Sequence, residues 1–354
     1  MKFIKNKKWK KWKRREMILF LEKMELYTAS GLALNKSLRI IAAGAPKKRK
    51  PSVTQAVRAV ENGGLLAKSL EEYLGASKTV AALLERGETA GELVKALGQA
   101  KALMEREDDL YKKCASAMVY PVAIGVFALL LTIGLVRGVM PQIIPMLKGL
   151  NVQLPLLTRI VMFASDNLLA YGPYIFLSAG MCVIVAPMVY KKIAAIRAFC
   201  HFAAAVTPLA GKLVVQYSLS VSLRSCGSLV NSGMSVAKAY ADVTETTWFL
   251  PLKVSLALEG EQVARGVPLG VVFAGIKHLP EYIAPLVIAG EASGSLGDSL
   301  IRAADILDRD IEHSLRRLTA LIEPVMMAGM GCVVGAIALS IMMPIYDISK
   351  VLQH

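Results

Sequence analysis

The chain is poor in charge, and poorer still in acid. Of its 354 residues only 19% are charged, against 55% hydrophobic, which is too apolar for disorder or for an ordinary soluble domain, so a membrane protein is expected. The five cysteines, Cys114, Cys182, Cys200, Cys226 and Cys332, form no C-x-x-C pair and are odd in number. Neither a disulfide framework nor a zinc site is indicated, and they read as small apolar fillers. The four histidines lie far apart without H-E-x-x-H spacing, so no metal centre or cofactor is expected. There is no G-x-x-x-x-G-K-[ST] loop and no G-x-S-x-G elbow, so the chain is read as a non-enzyme whose energy source lies elsewhere. A secretory signal peptide is not expected either, because Glu22, Lys23 and Glu25 interrupt the apolar run that begins at Met17.

What is present is unevenly placed. The 42 Lys+Arg and 27 Asp+Glu leave a net charge of +15, and residues 1–116 hold 25 basic and 13 acidic side chains, or +12. Three stretches carry no charge at all: Cys114 to Val136, Asn167 to Tyr190 and Pro324 to Tyr346, each of 23 or 24 residues. About 20 apolar residues cross a bilayer as a helix, so three transmembrane helices are expected. The segment between the first two holds only Arg137, Lys148 and Arg159 as basic residues, and this asymmetry puts the N-terminus in the cytoplasm.

The expected organisation is a basic arm (1–16), a cytoplasmic helical domain (17–113), a first span (114–136) and a periplasmic loop (137–166). A second span (167–190), a second cytoplasmic helical domain (191–318), a third span (319–346) and a periplasmic tail (347–354) follow. In the arm, nine Lys and Arg surround Trp9 and Trp12. That mixture suits anionic lipid headgroups, and equally a solvated cytoplasmic tail; nucleic acid is not an expected partner. Gly331 and Gly335 make a small-xxx-small pair that fits helix packing within the chain or an oligomer contact. Pro121 and Pro324 are expected near helix ends, where free N–H groups tolerate them.

The most informative feature is a duplication. Residues 87–121 and 290–324 align without a gap at an offset of 203, with Gly87, Glu88, Gly91, Leu93, Leu97, Arg106 and Pro121 facing Gly290, Glu291, Gly294, Leu296, Leu300, Arg309 and Pro324. Lys113 faces Arg316, and Glu105, Glu107 and Asp109 face Asp308, Asp310 and Glu312. Upstream, Gly63 faces Gly266, and Gly31 faces Gly233 at an offset of 202. This period is far longer than that of solenoid repeats. Apolar residues recur at three- and four-residue spacing, as in Met17, Phe20, Leu21, Met24 and Tyr27. The predicted fold is therefore an all-α membrane protein of two duplicated cytoplasmic helical bundles, each of about five or six short helices, with three transmembrane helices.

The Gly-Glu-x-x-Gly-x-Leu element in both copies, shortly before a long amphipathic helix ending at Tyr120-Pro121 or Glu323-Pro324, resembles the type II secretion F protein family (GspF/PilC). The likeness covers nearly the whole chain, although Thr89-Ala90 stands where the second copy has Ala292-Ser293. It implies a bacterial inner-membrane platform of type IV pilus assembly or type II secretion, leaning toward a type IVb system because the N-terminus is compact. The implied partners are a cytoplasmic hexameric assembly ATPase, pilin or pseudopilin subunits, other inner-membrane assembly proteins and further copies of the chain.

Two features keep alternative readings at this stage. Glu88 and Glu291 suit a first-turn position, accepting free backbone N–H groups, or a surface for a cytoplasmic partner. The charged register with Arg106 and Lys113, and its copy with Arg309 and Arg316, suits a solvated helix face, or a surface that positions the copies against each other or a partner. A small transporter or channel is the rival function, which the absence of ionisable residues from all three uncharged stretches disfavours.

Overall fold

The computed structural model describes residues 12–138, 201–202, 207, 210–276 and 279–351, with isolated positions at 163, 174, 181 and 196. The basic arm up to residue 11, most of the 137–166 loop, most of the middle span at 167–190 and the last three residues of the tail lie outside the described residues.

Among the described residues every regular element is a helix. The first copy runs α1 (Arg14–Ala29), α2 (Leu34–Ala43), α3 (Lys50–Glu61), α4 (Leu66–Ser69, continued by a π-helical turn Leu70–Leu74), α5 (Lys78–Ala90), α6 (Leu93–Ala117) and α7 (Val119–Gly138). The second runs α8 (Ala210–Asn231), α9 (Val236–Thr246), α10 (Leu250–Ala264), α11 (Leu269–Gly275), α12 (Ile283–Ala292) and α13 (Leu296–Val351). The starts of α4 and α11, and of α6 and α13, are separated by the same 203 residues as the sequence repeat.

The local signals recur as well. Pro51 and Pro251 stand in the first turn of α3 and α10, where a missing N–H costs no helical bond. Gly31 and Gly233, Gly63 and Gly266, and Gly91 and Gly294 all hold positive φ at the turns between helices. A side chain there would meet the following carbonyl, so glycine is the residue that ends these helices without strain.

The protein divides into two compact units, Met1–Lys113 with Cys200–Glu312, and Cys114–Phe199 with His313–His354. In the first unit the helical parts of both copies are brought together, and one apolar core takes in residues from each. Helix α1 buries Met17, Phe20, Leu21 and Met24 along one stripe, and α6 buries Ala96, Leu97, Ala100 and Leu103. Helix α5 packs on α8 and α9 of the other copy. Cys226 lies in this core, and burial alone pushes its thiol up to about 12, a side chain kept for packing and not for reactivity. His201 is also buried, between Trp248 and Phe249, with its Nδ1 accepting the Leu250 N–H at 3.1 Å.

The second unit contains the apolar helical stretches. Two runs, Leu93–Gly134 and Leu296–Ala336, are long and apolar enough to cross a membrane. They overlap the expected first span as far as Gly134 and the expected third as far as Ala336, while most of the expected second lies outside the described residues. The first run is broken at Met118, between α6 and α7. Pro121 follows that break by three residues and sits in the first turn of α7. Pro324 differs from expectation: it lies in the interior of α13, with no helix end nearby. Proline cannot donate to the carbonyl four residues earlier, and long apolar helices accommodate such a gap through neighbouring groups and small local adjustments.

Candidate functional site: the repeated glycine-glutamate elements and the seam between the copies

The repeated element is a cap between helices. Glu88 stands in the last turn of α5, and its carboxylate accepts the backbone N–H of Leu66 at 3.0 Å and of Ala67 at 3.4 Å. Glu291, in the last turn of α12, accepts Leu269 N–H at 2.6 Å and Gly270 N–H at 3.0 Å. Each carboxylate therefore serves the first turn of the helix before its own, some 22 residues upstream. This corrects the expectation that the glutamate occupies the first turn of its own helix. The chemistry is the expected one, an anion on free N–H groups at the positive helix end, but the helix it serves is brought to it by the fold.

The glycines around it have separate jobs. A Cβ on Gly87 would lie 2.1 Å from Ala96 Cβ, and one on Gly290 would lie 2.3 Å from Ser299 Oγ. At these two positions α5 touches α6, and α12 touches α13, too closely for any side chain. Gly91 and Gly294 then reverse the chain at φ 73° and 68°. Glu92 N–H and Ser295 N–H return to the carbonyls of Gly87 and Gly290, both at 2.8 Å. The element thus welds three successive helices, and both copies do so with the same geometry.

The charged register is split among different environments. Lys113 reaches Glu312 of the other copy at 2.5 Å. Arg309 is exposed and its Nε donates to the Asp305 carbonyl on its own helix at 3.3 Å. Arg316 is exposed on α13. Arg106 is exposed on α6, beside α8 and α13, with no hydrogen bond or ion pair among the described residues.

The sequence reading missed the polar seam that joins the copies. Arg86 of α5 donates to the carbonyls of Ser232 at 3.4 Å and Gly233 at 2.9 Å, and Lys78 pairs with Glu245 at 2.6 Å. That pair raises the Lys78 ammonium and holds the Glu245 carboxyl below the usual range. Within the second copy, the buried Arg224 guanidinium bridges Asp305 at 2.7 Å and Asp308, which also receives the Ser220 hydroxyl. Burial raises the Asp308 carboxyl, with Arg224 opposing. Burial likewise raises Glu107 of α6, against the pull of Arg14 and Arg224. One signal was available, because at the repeat offset the apolar Ala102 of the first copy faces the charged Asp305 of the second.

Among the described residues the fold is thus a duplicated helical protein in which each copy leads into a helix long and apolar enough to cross a membrane. Two stretches, residues 20–141 and 222–344, match the family model for Type II secretion system (T2SS), protein F, and the chain belongs to that family. The match occurs twice, with starts 202 residues apart, in register with the internal repeat. Relatives include the type IV pilus assembly protein PilC of Thermus thermophilus, 27% identical over 94% of this chain and 82% of that protein. The PilC of Pseudomonas aeruginosa is 25% identical over 97% and 92%. The type II secretion system protein F of the same organism is 28% identical over 95% and 83%.

Proposed function

We propose that this protein is the inner-membrane platform of a type IV pilus or type II secretion machine. It couples a cytoplasmic hexameric assembly ATPase to extraction of pilin or pseudopilin subunits from the bilayer. The observation that carries this reading is the duplication itself: two copies of one welded helical element, each followed by a helix long and apolar enough to span a membrane. Relatives aligned with this chain over 92% and 83% of their own length are named for the two machines.

A part that transmits force needs stiff elements and defined contact surfaces. Helix α13 is unbroken over 56 residues, about 84 Å at a rise of about 1.5 Å per residue. The caps at Glu88 and Glu291 tie α4 to α5 and α11 to α12, and the close contacts at Gly87 and Gly290 tie these in turn to the long helices α6 and α13. The N-terminus faces the cytoplasm, three spans place both copies on that side, and the basic arm meets anionic lipid.

Deleting the gene tests this reading. Processed pilin or pseudopilin should accumulate in the inner membrane without filaments or secretion, and the wild-type gene should restore them; normal output from the deletion strain refutes it. Reporter fusions after Lys113 and Arg197 should read cytoplasm and one after Leu150 should read periplasm. A cytoplasmic signal at Leu150 would remove the three-span arrangement.

A further inference from the structure

The contact that joins the two copies in the first unit is used in one direction. Helix α5 of the first copy lies on α8 and α9 of the second, with Arg86 on the Ser232 and Gly233 carbonyls and Lys78 on Glu245. The reciprocal contact would place α12, the counterpart of α5, on α1 and α2, the counterparts of α8 and α9. Instead α12 has α11 as its principal neighbour, and both corresponding faces are uncovered: Ile288 of α12 is 46% exposed, Leu26 of α1 64% and Ile40 of α2 41%. The first copy keeps a free receiving face and the second a free helix.

These two unused faces differ from their counterparts in the same way. At the offset of 203, Glu85, Arg86 and Thr89 of α5 correspond to Ile288, Ala289 and Ala292 of α12, all three exposed. With Pro285 they form a stripe at the i, i+3, i+4, i+7 spacing of a helix face that packs. Helices α1 and α8 end, and α2 and α9 begin, 202 residues apart. At that offset the polar Ser228, Asn231, Asp242 and Glu245 correspond to Leu26, Ala29, Ile40 and Ala43, and these four are exposed too. Inside the chain a charged helix meets a polar face, while an apolar helix and an apolar face of matching position stay uncovered. The charge that remains is Glu281, the counterpart of Lys78, exposed ahead of the first turn of α12.

We infer that the apolar face of α12 docks on the α1–α2 face of a second copy of this chain, repeating between chains the contact that α5 makes on α8 and α9 within one. A lipid surface or an unrelated protein would account for one apolar face. A second copy accounts for both, because the two faces stand in the positions of a helix and a receiving surface that already fit each other once in this fold. The change from charged to apolar also keeps the two contacts apart: α12 brings no cation for Asp242 and Glu245, and α1 and α2 offer no carboxylate at the positions that Lys78 would reach, so each helix is directed to its own surface. The inference does not rest on the platform reading, since self-association needs only the chain itself.

The test uses full-length chains in membranes opened by sonication. One chain carries Ile288→Cys and one affinity tag, and the other carries Leu26→Cys and a second tag, so only a bridge between copies joins the tags. The same tagged pair without the added cysteines sets the background from the native thiols. A short bis-maleimide should join the tags well above that background, and Leu258→Cys, on α10 and 74% exposed, should not replace Ile288→Cys. Ile40→Asp in the Leu26→Cys chain should lower the yield about tenfold by setting an unpaired charge in the contact, and Ala289→Lys in the facing chain should recover part of it. Both sites are exposed, so protein level and helical ellipticity should stay at wild type. A yield no higher than that of Leu258→Cys overturns the assignment and leaves the face to lipid or another protein. A yield unmoved by Ile40→Asp, or a stronger bridge between two Ile288→Cys chains than between Ile288→Cys and Leu26→Cys, overturns it as well. Cross-linking reads contact between copies and the gene deletion reads filament or secretion output, so failure of one reading is visible apart from failure of the other.

Discussion

Adding a single methyl group at Gly87 should destabilise the first unit, whereas the same change at Gly260 should stabilise it. On helix propensity alone, Gly→Ala inside a helix gains about 1 kcal/mol. Gly260 lies in α10 with nothing within 4 Å of an added Cβ, so that gain should appear in full. At Gly87 the new carbon would stand 2.1 Å from Ala96 Cβ, 3.2 Å from the Glu92 carbonyl and 3.5 Å from Ala96 Cα. Two methyl groups normally approach to about 3.5–4 Å, so α5 and α6 must separate by more than 1 Å at a buried contact. Overpacking of this kind costs about 1–3 kcal/mol or more, which outweighs the propensity gain. The two helices also carry Glu88 and the Gly91 reversal, so the strain should reach the cap on α4. Thermal unfolding of purified protein in detergent, followed by helical ellipticity, would show Gly87→Ala melting lower and Gly260→Ala higher than wild type. Gly87→Ala with Ala96→Gly should recover part of the loss by removing the opposing methyl. A Gly87→Ala protein that melts like Gly260→Ala would show that the helices are not in contact there, and the account of the element as a weld would fall.

Two further outcomes follow from the same geometry. Glu291→Gln keeps one acceptor oxygen but turns an amide NH₂ toward a second N–H donor, so it should cost about 1–2 kcal/mol, and Glu291→Ala about 2–4 kcal/mol, by leaving both donors unpaired; unchanged amide exchange at Leu269 and Gly270 in both variants would refute the capping role. Glu107 is raised by burial, so the folded state holds its proton above the unfolded carboxyl range near pH 4.5; its contribution is present below that pH and lost as pH rises through the folded value. Glu107→Gln imitates the protonated form, so it should gain stability relative to wild type from about pH 4.5 upward, and parallel pH–melting curves for the two proteins would count against that burial.

Much of the architecture was legible in the chain alone, and for a reason. Helix periodicity, turn glycines and uncharged runs are set by residues a few positions apart, and the duplication repeats them. The repeat placed Gly63 with Gly266 and Leu93 with Leu296, and α4 and α11, α6 and α13 follow the same spacing. The uncharged stretches at 114–136 and 324–346 fall on helices long enough to cross a membrane because exclusion of charge is a property of composition, not of packing. The anion-binding role of Glu88 and Glu291 could be anticipated from charge and glycine context, but not which helix each would cap. Only the fold decided that, because it returns the start of α4 to the end of α5 across 22 residues. Contacts made over longer separations left no local trace: Arg86 reaches Gly233 across 147 residues, and Arg224 reaches Asp308 across 84. A lone arginine in a helix reads as a solvated side chain until packing removes the water, and burial then requires that Arg224 find its carboxylates, whereas the exposed Arg106 makes no ion pair among the described residues.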